Sequence, residues 1–289
     1  MADGHSVLHL NGRLVPEADA RISPMDRGFT LADGVFETMV ARGDRVFRLA
    51  DHLGRLADGA RLLFIHLPGA ADLEAAVRET LRANGLPASV ARLTVTRGLD
   101  QGRGLSVAGG DSPTVVVRVS PHGGFGRPLG RGLRLVVSRV TRNEGSPTSR
   151  AKTLSYTDGV LARREAQMSG ADDALLLNGR ATLACATSSN LFTVAGGRLT
   201  TPPEDDGALP GVARRTVLEL ARAAGVPCSE ASVTAGLEEV DEAFLTNVVT
   251  GIVPIAWVAG QTVGATCPGP VTERLAEAYR VFFERETAG

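Results

Sequence analysis

The stretch TSRAKTLSYTDGVLARR, residues 148–164, contains Lys152, and 30 of the 31 lysines and arginines in the 289-residue chain are arginine. Lys152 is therefore the sole lysine. A guanidinium stays protonated in any protein, whereas an amine can give up its proton and act as a nucleophile. At an ordinary pKa only roughly one lysine in 2,500 is a neutral amine at pH 7, so a nucleophilic lysine also needs a site that lowers its pKa. Two readings stand side by side: Lys152 is a catalytic amine, or it is the remnant of a coding bias towards arginine.

Two other segments can present backbone amides to an anion. In LPGVARRTV, Gly211 stands just before a helix, where the N–H groups of Val212 and Ala213 and the helix dipole can hold a phosphate. TNVVTG, residues 246–251, can supply more amides in a tight turn. Taken singly, each is also ordinary punctuation between elements. Arg55 lies on an amphipathic helix, where the other reading is a solvated charge beside a buried stripe. Together, a lysine, two anion-capable turns and an arginine make sense if the ligand is an aldehyde that carries a phosphate. Pyridoxal phosphate is that ligand.

The elements that must position these residues can be read from periodicity and turn chemistry. VLHLNGRLV predicts a hairpin turning at Asn11-Gly12. Leu49, Leu53, Leu56, Ala60 and Leu63 recur at helical spacing around Arg55, and Leu73, Ala76, Val77 and Leu81 predict a second helix stopped at Asn84-Gly85. ARLTVTRG and PTVVVRVS read as strands. SPHGGFGRPLGRG is dense in Gly and Pro and reads as an interdomain loop. Beyond it come a strand LRLVVSRV, a helix YTDGVLARREAQM close behind Lys152, and hairpins turning at Asn178-Gly179 and Gly196-Gly197. A helix then runs through Val212, Thr216, Leu220 and Ala223, and EAFLTNVVTGIVPIAWV supplies further strand. The expectation is a mixed α/β (α+β) chain in two domains, 1–120 and 133–289, joined by a loop over 121–132, with Lys152 in the second.

Composition narrows the partners. With 32 acidic against 31 basic residues and no basic run, nucleic acid and anionic membrane surfaces are poor candidates. The N-terminal stretch has no signal-like apolar core, and no run is long enough for a membrane span. Cys185, Cys228 and Cys267 form neither a CxxC pair nor an even framework, which points to reduced thiols and a cytoplasmic location. The five histidines lack ligand spacing, so no metal site is expected.

From MDRGFTLADGVFETMV at Met25 through FRLADHLGRL, RAKTLSYTDGVLARREA, GADDALLLNGRATLACATSSNLF and ALPGVARRTVLELAR to DEAFLTNVVTGIVPI, the chain resembles the class IV aminotransferases. These are fold-type IV pyridoxal-phosphate enzymes, among them branched-chain and D-amino-acid aminotransferases and 4-amino-4-deoxychorismate lyase. The resemblance implies two α/β domains with the cofactor between them, in a homodimer acting on a small amino substrate. It implies that Lys152 forms the Schiff base and moves the proton, and that Arg55 binds the cofactor phosphate with the amides of Val212, Ala213, Val248 and Val249. Leu209 is expected against the pyridine ring and Tyr156 near its phenolic oxygen.

Three departures from the family pattern stand out. Ala213 and Val248 replace threonines common in the family, and Cys185 replaces the glutamate that usually bonds the protonated pyridine nitrogen. That carboxylate keeps the ring able to absorb electrons, so its loss points away from transamination and towards the lyase, whose aromatic product helps pull the reaction. TRGLDQGRGLS and Asn247 lean the same way; Asn247 and Leu31, which replaces an aromatic residue of many aminotransferases, are expected at the substrate, and Arg97 and Arg103 can either meet a substrate carboxylate or be structural and solvated charges. An amino-acid aminotransferase, branched-chain or D-specific, is the alternative, and a non-catalytic cofactor-binding homologue a third reading.

Overall fold

A computed structural model of the chain describes residues 6–99, 102, 104–107, 112–123, 130–237 and 239–288. These fall into two compact units, the first from residues 1–124, 151–155 and 286–289, the second from 125–150 and 156–285. Segment 151–155, with Lys152, thus packs with the first unit, although the sequence reading assigns it to the second domain. Two hydrogen bonds and a bridge account for this: Phe36 N donates to Lys152 O, Leu154 N donates to Gly34 O, both at 3.0 Å, and Val35 pairs with Thr153. Part of the expected linker, 124–129, lies outside the described residues.

The first unit contains β1 (Val7–Leu10), β2 (Arg13–Pro16), α1 (Arg27–Leu31), β3 (Gly34–Arg42), β4 (Arg45–Val46), α2 (Leu49–Leu62), α3 (Ala70–Asn84), β5 (Ala88–Leu99) and β6 (Ser112–Pro121). Its strands form one antiparallel sheet, β2-β1-β6-β5-β3-β4. The expected hairpin and both helices are present. On α2 the buried stripe is Leu49, His52, Leu56, Gly59 and Ala60, so a histidine sits in an otherwise apolar row. That stripe and α3 cover the sheet face carrying Val35, Met39, Ala41, Leu93, Val95 and Val117. The sequence reading did not mark β3. Buried on both faces for most of its length, it has no polar alternation to betray it.

The second unit contains β7 (Leu133–Val137), α4 (Thr157–Met168), β8 (Asp173–Leu177), β9 (Thr182–Ala186), β10 (Asn190–Ala195), β11 (Arg198–Thr201), α5 (Val212–Ala223), β12 (Cys228–Glu230), β13 (Val233–Thr234), β14 (Glu242–Asn247), β15 (Gly251–Val258), β16 (Gln261–Thr262) and α6 (Pro270–Thr287), whose end belongs to the first unit. Its sheet runs β12-β11-β10-β14-β15-β7-β8-β9-β13, with β16 paired to β15. Phe192 and Phe244 stack at 5.0 Å across β10 and β14 in its core. Glu242 accepts from the N–H groups of Val271 and Thr272, capping the helix that the sequence reading had not named. Among the described residues no helix is long and apolar enough to cross a membrane, and no cluster of side chains could hold a metal ion.

Candidate active site

In the first unit the chemistry gathers on both faces of β3. On the helix side Glu37 is fully buried and accepts from His52 Nδ1 at 2.6 Å, from Arg55 Nε at 2.7 Å and from Arg55 Nη2 at 2.7 Å. Burial alone would push the Glu37 carboxyl up. The Arg55 charge and the hydrogen bonds from His52 and Arg55 outweigh it and hold the carboxyl at about 2. His52, also fully buried, is pushed below the usual imidazole range by burial, against the pull of Glu37. A neutral imidazole donating through Nδ1 follows. Removing one partner of such a buried set costs about 3–5 kcal/mol, because a charge is left without its counterpart.

On the other face, the ring of Phe36 carries two cations: Lys152 Nζ lies 4.2 Å from its centroid and the Arg92 guanidinium carbon 3.7 Å. The amine is half-buried, and its backbone is pinned to β3 independently of the side chain. Gly34 is required for that approach, since a Cβ there would come within 2.6 Å of both Leu154 Cδ1 and Val95 O. Neither Arg92 nor Glu37 emerges from the sequence reading. The cross-strand pair Thr38 and Arg92, in register on β3 and β5, is the relation that brings the arginine to this ring.

Arg97 is placed differently from an open carboxylate receptor. It is buried, and its guanidinium is committed to Asp33 (Nε to Oδ2, 2.8 Å), to Phe64 O at 2.8 Å and to Leu63 O at 2.7 Å. It anchors a strand end to the close of α2. Arg27 donates to the same Asp33 oxygen and to Gly104 O, tying α1 to the same place. Leu31 ends α1 and is 43% exposed. Arg103 lies outside the described residues.

In the second unit α5 begins after Gly211, and Val212 and Ala213 occupy its buried first turn, whose N–H groups have no acceptor within the helix. A Cβ on Gly211 would come within 2.1 Å of Asn190 Oδ1, so a larger residue here would have to push the Asn190 amide aside. Asn190 Nδ2 donates to Leu209 O at 2.9 Å and so fixes the strap that carries Leu209 into the helix. Nothing local in the stretch TSSNLF marks Asn190 for this contact.

Asn247, expected to meet substrate, has its side chain engaged in bracing the turn. Its Oδ1 accepts from Val249 N and Thr250 N, both at 2.9 Å, and its Nδ2 donates to Ser189 Oγ. The Val249 amide expected at the phosphate therefore gives its hydrogen to Asn247, while Val248 beside it is buried. Tyr156 is half-buried at the N-terminal boundary of α4. Cys185 sits on β9 opposite Leu176 of β8, and burial pushes its thiol up, with Arg142 opposing and Asp173 adding to the shift.

An amine, a clamped guanidinium and the free N–H groups of a helix that starts at a glycine suit a phosphorylated aldehyde in the chemistry of their donors. The family description Amino-transferase class IV matches residues 34–258. A branched-chain-amino-acid aminotransferase of Pseudomonas aeruginosa is 33% identical over 96% of this chain and 93% of its own. The crystal structure of a branched-chain aminotransferase from Thermoproteus uzoniensis with norvaline has a TM-score of 0.89 at 32% identity, covering 98% of this chain and 96% of that one. The Escherichia coli branched-chain enzyme gives 0.90 at 28% identity, covering 98% of this chain and 96% of that one. The lean towards the lyase finds no support in these comparisons; the alternative of an amino-acid aminotransferase does.

Proposed function

Because the chain belongs to the class IV aminotransferases and is a pyridoxal-phosphate-dependent enzyme, we propose that its reaction is transamination of branched-chain amino acids. The observation that carries this reading is the pair of cations, Lys152 and Arg92, on the ring of Phe36. Bound pyridoxal phosphate supplies an aldehyde that condenses with an amine and a ring that takes up electrons. In this proposal Lys152 Nζ holds and returns the proton, and Arg92 offers a planar fork that suits a carboxylate. Phe36 offers an apolar face for an aliphatic side chain. The norvaline in the Thermoproteus uzoniensis structure is a substrate-sized molecule of that kind. Arg55 and the amides at the start of α5 hold the phosphate, Leu209 lies against the ring, Tyr156 near its phenolic oxygen, and Cys185 stands at its nitrogen.

The test offers leucine, isoleucine and valine with 2-oxoglutarate, then D-amino acids, then aminodeoxychorismate. The expected result is keto-acid exchange with the branched L-amino acids. Release of 4-aminobenzoate and pyruvate without any such exchange overturns the reading.

A homodimer working in the cytoplasm, in keeping with the three unpaired cysteines, is part of the same proposal. Met25, Phe29, Phe64 and Leu105 are each at least 70% exposed. The bonds of Arg27 and Arg97 to Asp33, Gly104 and Phe64 draw these apolar groups into one neighbourhood of the first unit, a surface suited to a second copy of the chain. Light scattering is expected to give a dimer for the wild type and a monomer for the double variant F29D/F64D. A monomeric wild type rules the dimer out.

A further inference from the structure

Glu37 occupies a position that β3 otherwise gives to apolar side chains: Val35 and Met39, its neighbours on the same face, are buried with it. A carboxylate survives there only because Arg55 and His52, one turn apart on α2, both donate to it. The contacts have a definite shape. Arg55 gives Nε to Oε1 and Nη2 to Oε2, a side-on fork that sets guanidinium and carboxylate together. His52 gives Nδ1 to Oε2 and so stops the carboxylate from rotating. Its Nε2 is buried with no hydrogen-bond partner among the described residues. For packing alone, an imidazole with one nitrogen unsatisfied is inferior to a leucine. What it adds is the fixing of Glu37. An arginine side chain has several rotatable bonds, and an anion held by it is held only as firmly as those bonds are restrained.

We infer that Glu37 and His52 are positioning residues: they lock the Arg55 guanidinium in the orientation in which it holds the cofactor phosphate. This rests on the proposed role of Arg55. The firmness of the phosphate grip is then set by two buried side chains that act only through the arginine.

The test compares holoenzymes of R55Q, E37Q, H52L, H52N and M39A by the 31P NMR line of the bound cofactor and by the rate of cofactor release into inorganic phosphate. R55Q gauges the arginine itself, with the line displaced and release faster by about tenfold or more. E37Q is expected to do the same by about tenfold, and H52L to move both readouts in that direction by less. H52N, whose amide N–H can replace Nδ1–H as the donor, keeps the wild-type line and rate. M39A truncates the same apolar cluster without touching these hydrogen bonds, and leaves the line in place. The inference is overturned if E37Q and H52L match M39A, or if H52N behaves like H52L. Should E37Q fail to fold, the H52L and H52N pair decides alone. If R55Q changes neither readout, the reading of Arg55 at the phosphate fails, whatever E37Q does.

Discussion

Replacing Lys152 with alanine is expected to lower turnover by roughly 10⁴-fold or more, and to abolish the absorbance near the visible edge that marks cofactor bound to a lysine. No other lysine exists in the chain to take its place. Arginine is expected to fail equally at this position. It would keep a cation on the Phe36 ring, but a guanidinium neither condenses with an aldehyde nor gives up a proton at working pH. The fold should survive both changes, because segment 151–155 is held to β3 by backbone hydrogen bonds and a bridge that do not involve the side chain. The cation–π interaction that K152A removes is worth about 0.5–1 kcal/mol, a shift of a few degrees in Tm. Turnover of K152A within tenfold of wild type, with the band intact, would remove the amine from the mechanism.

The second large effect runs the other way. On the reading that Cys185 stands at the pyridine nitrogen, C185E is expected to speed the half-reaction of an amino acid with the bound cofactor by about ten- to a hundredfold, the worth of one charged hydrogen bond. Burial pushes the native thiol up, towards its neutral form, which balances a protonated ring nitrogen less well than a carboxylate does. A carboxylate at the same place would meet the charge of Arg142, which already acts on this thiol, and some repulsion from Asp173. Arg142 is itself held by Gly207 O and Ser149 O, so it is in place to receive the new group. The larger side chain should cost about 1–3 kcal/mol of stability. C185S is the control and should resemble the wild type. If C185E leaves the half-reaction rate and the cofactor spectrum unchanged, Cys185 does not face the ring nitrogen.

Much of the fold was legible in the sequence because it is written locally. Asn11-Gly12 and Gly196-Gly197 mark turns through their left-handed backbone, Asn178 through a side-chain oxygen that accepts from Arg180 N and Thr182 N, and the helices α2, α3 and α5 through their apolar spacing. What escaped is written in long-range relations. β3 hid because burial on both faces erases alternation, and with it went Glu37 and Phe36. Arg97 could be weighed only as a charge near a strand end, since nothing local reveals that Asp33 and two carbonyls at the end of α2 are waiting for it. Arg92 reaches the Lys152 ring through strand register. Asn247 is the exception, because an Asn two residues before the amide it binds is a recognisable local turn device.

Phe36 and Glu37 are consecutive residues of β3, and the pleat sends one to the ring shared by Lys152 and Arg92 and the other to the carboxylate behind Arg55. The two must therefore be inherited together. An insertion or deletion of one residue in this strand exchanges its faces and ruins both arrangements at once. Divergence in substrate preference is left with point substitutions on the even-numbered face, such as at Thr38, and with changes in the surrounding loops.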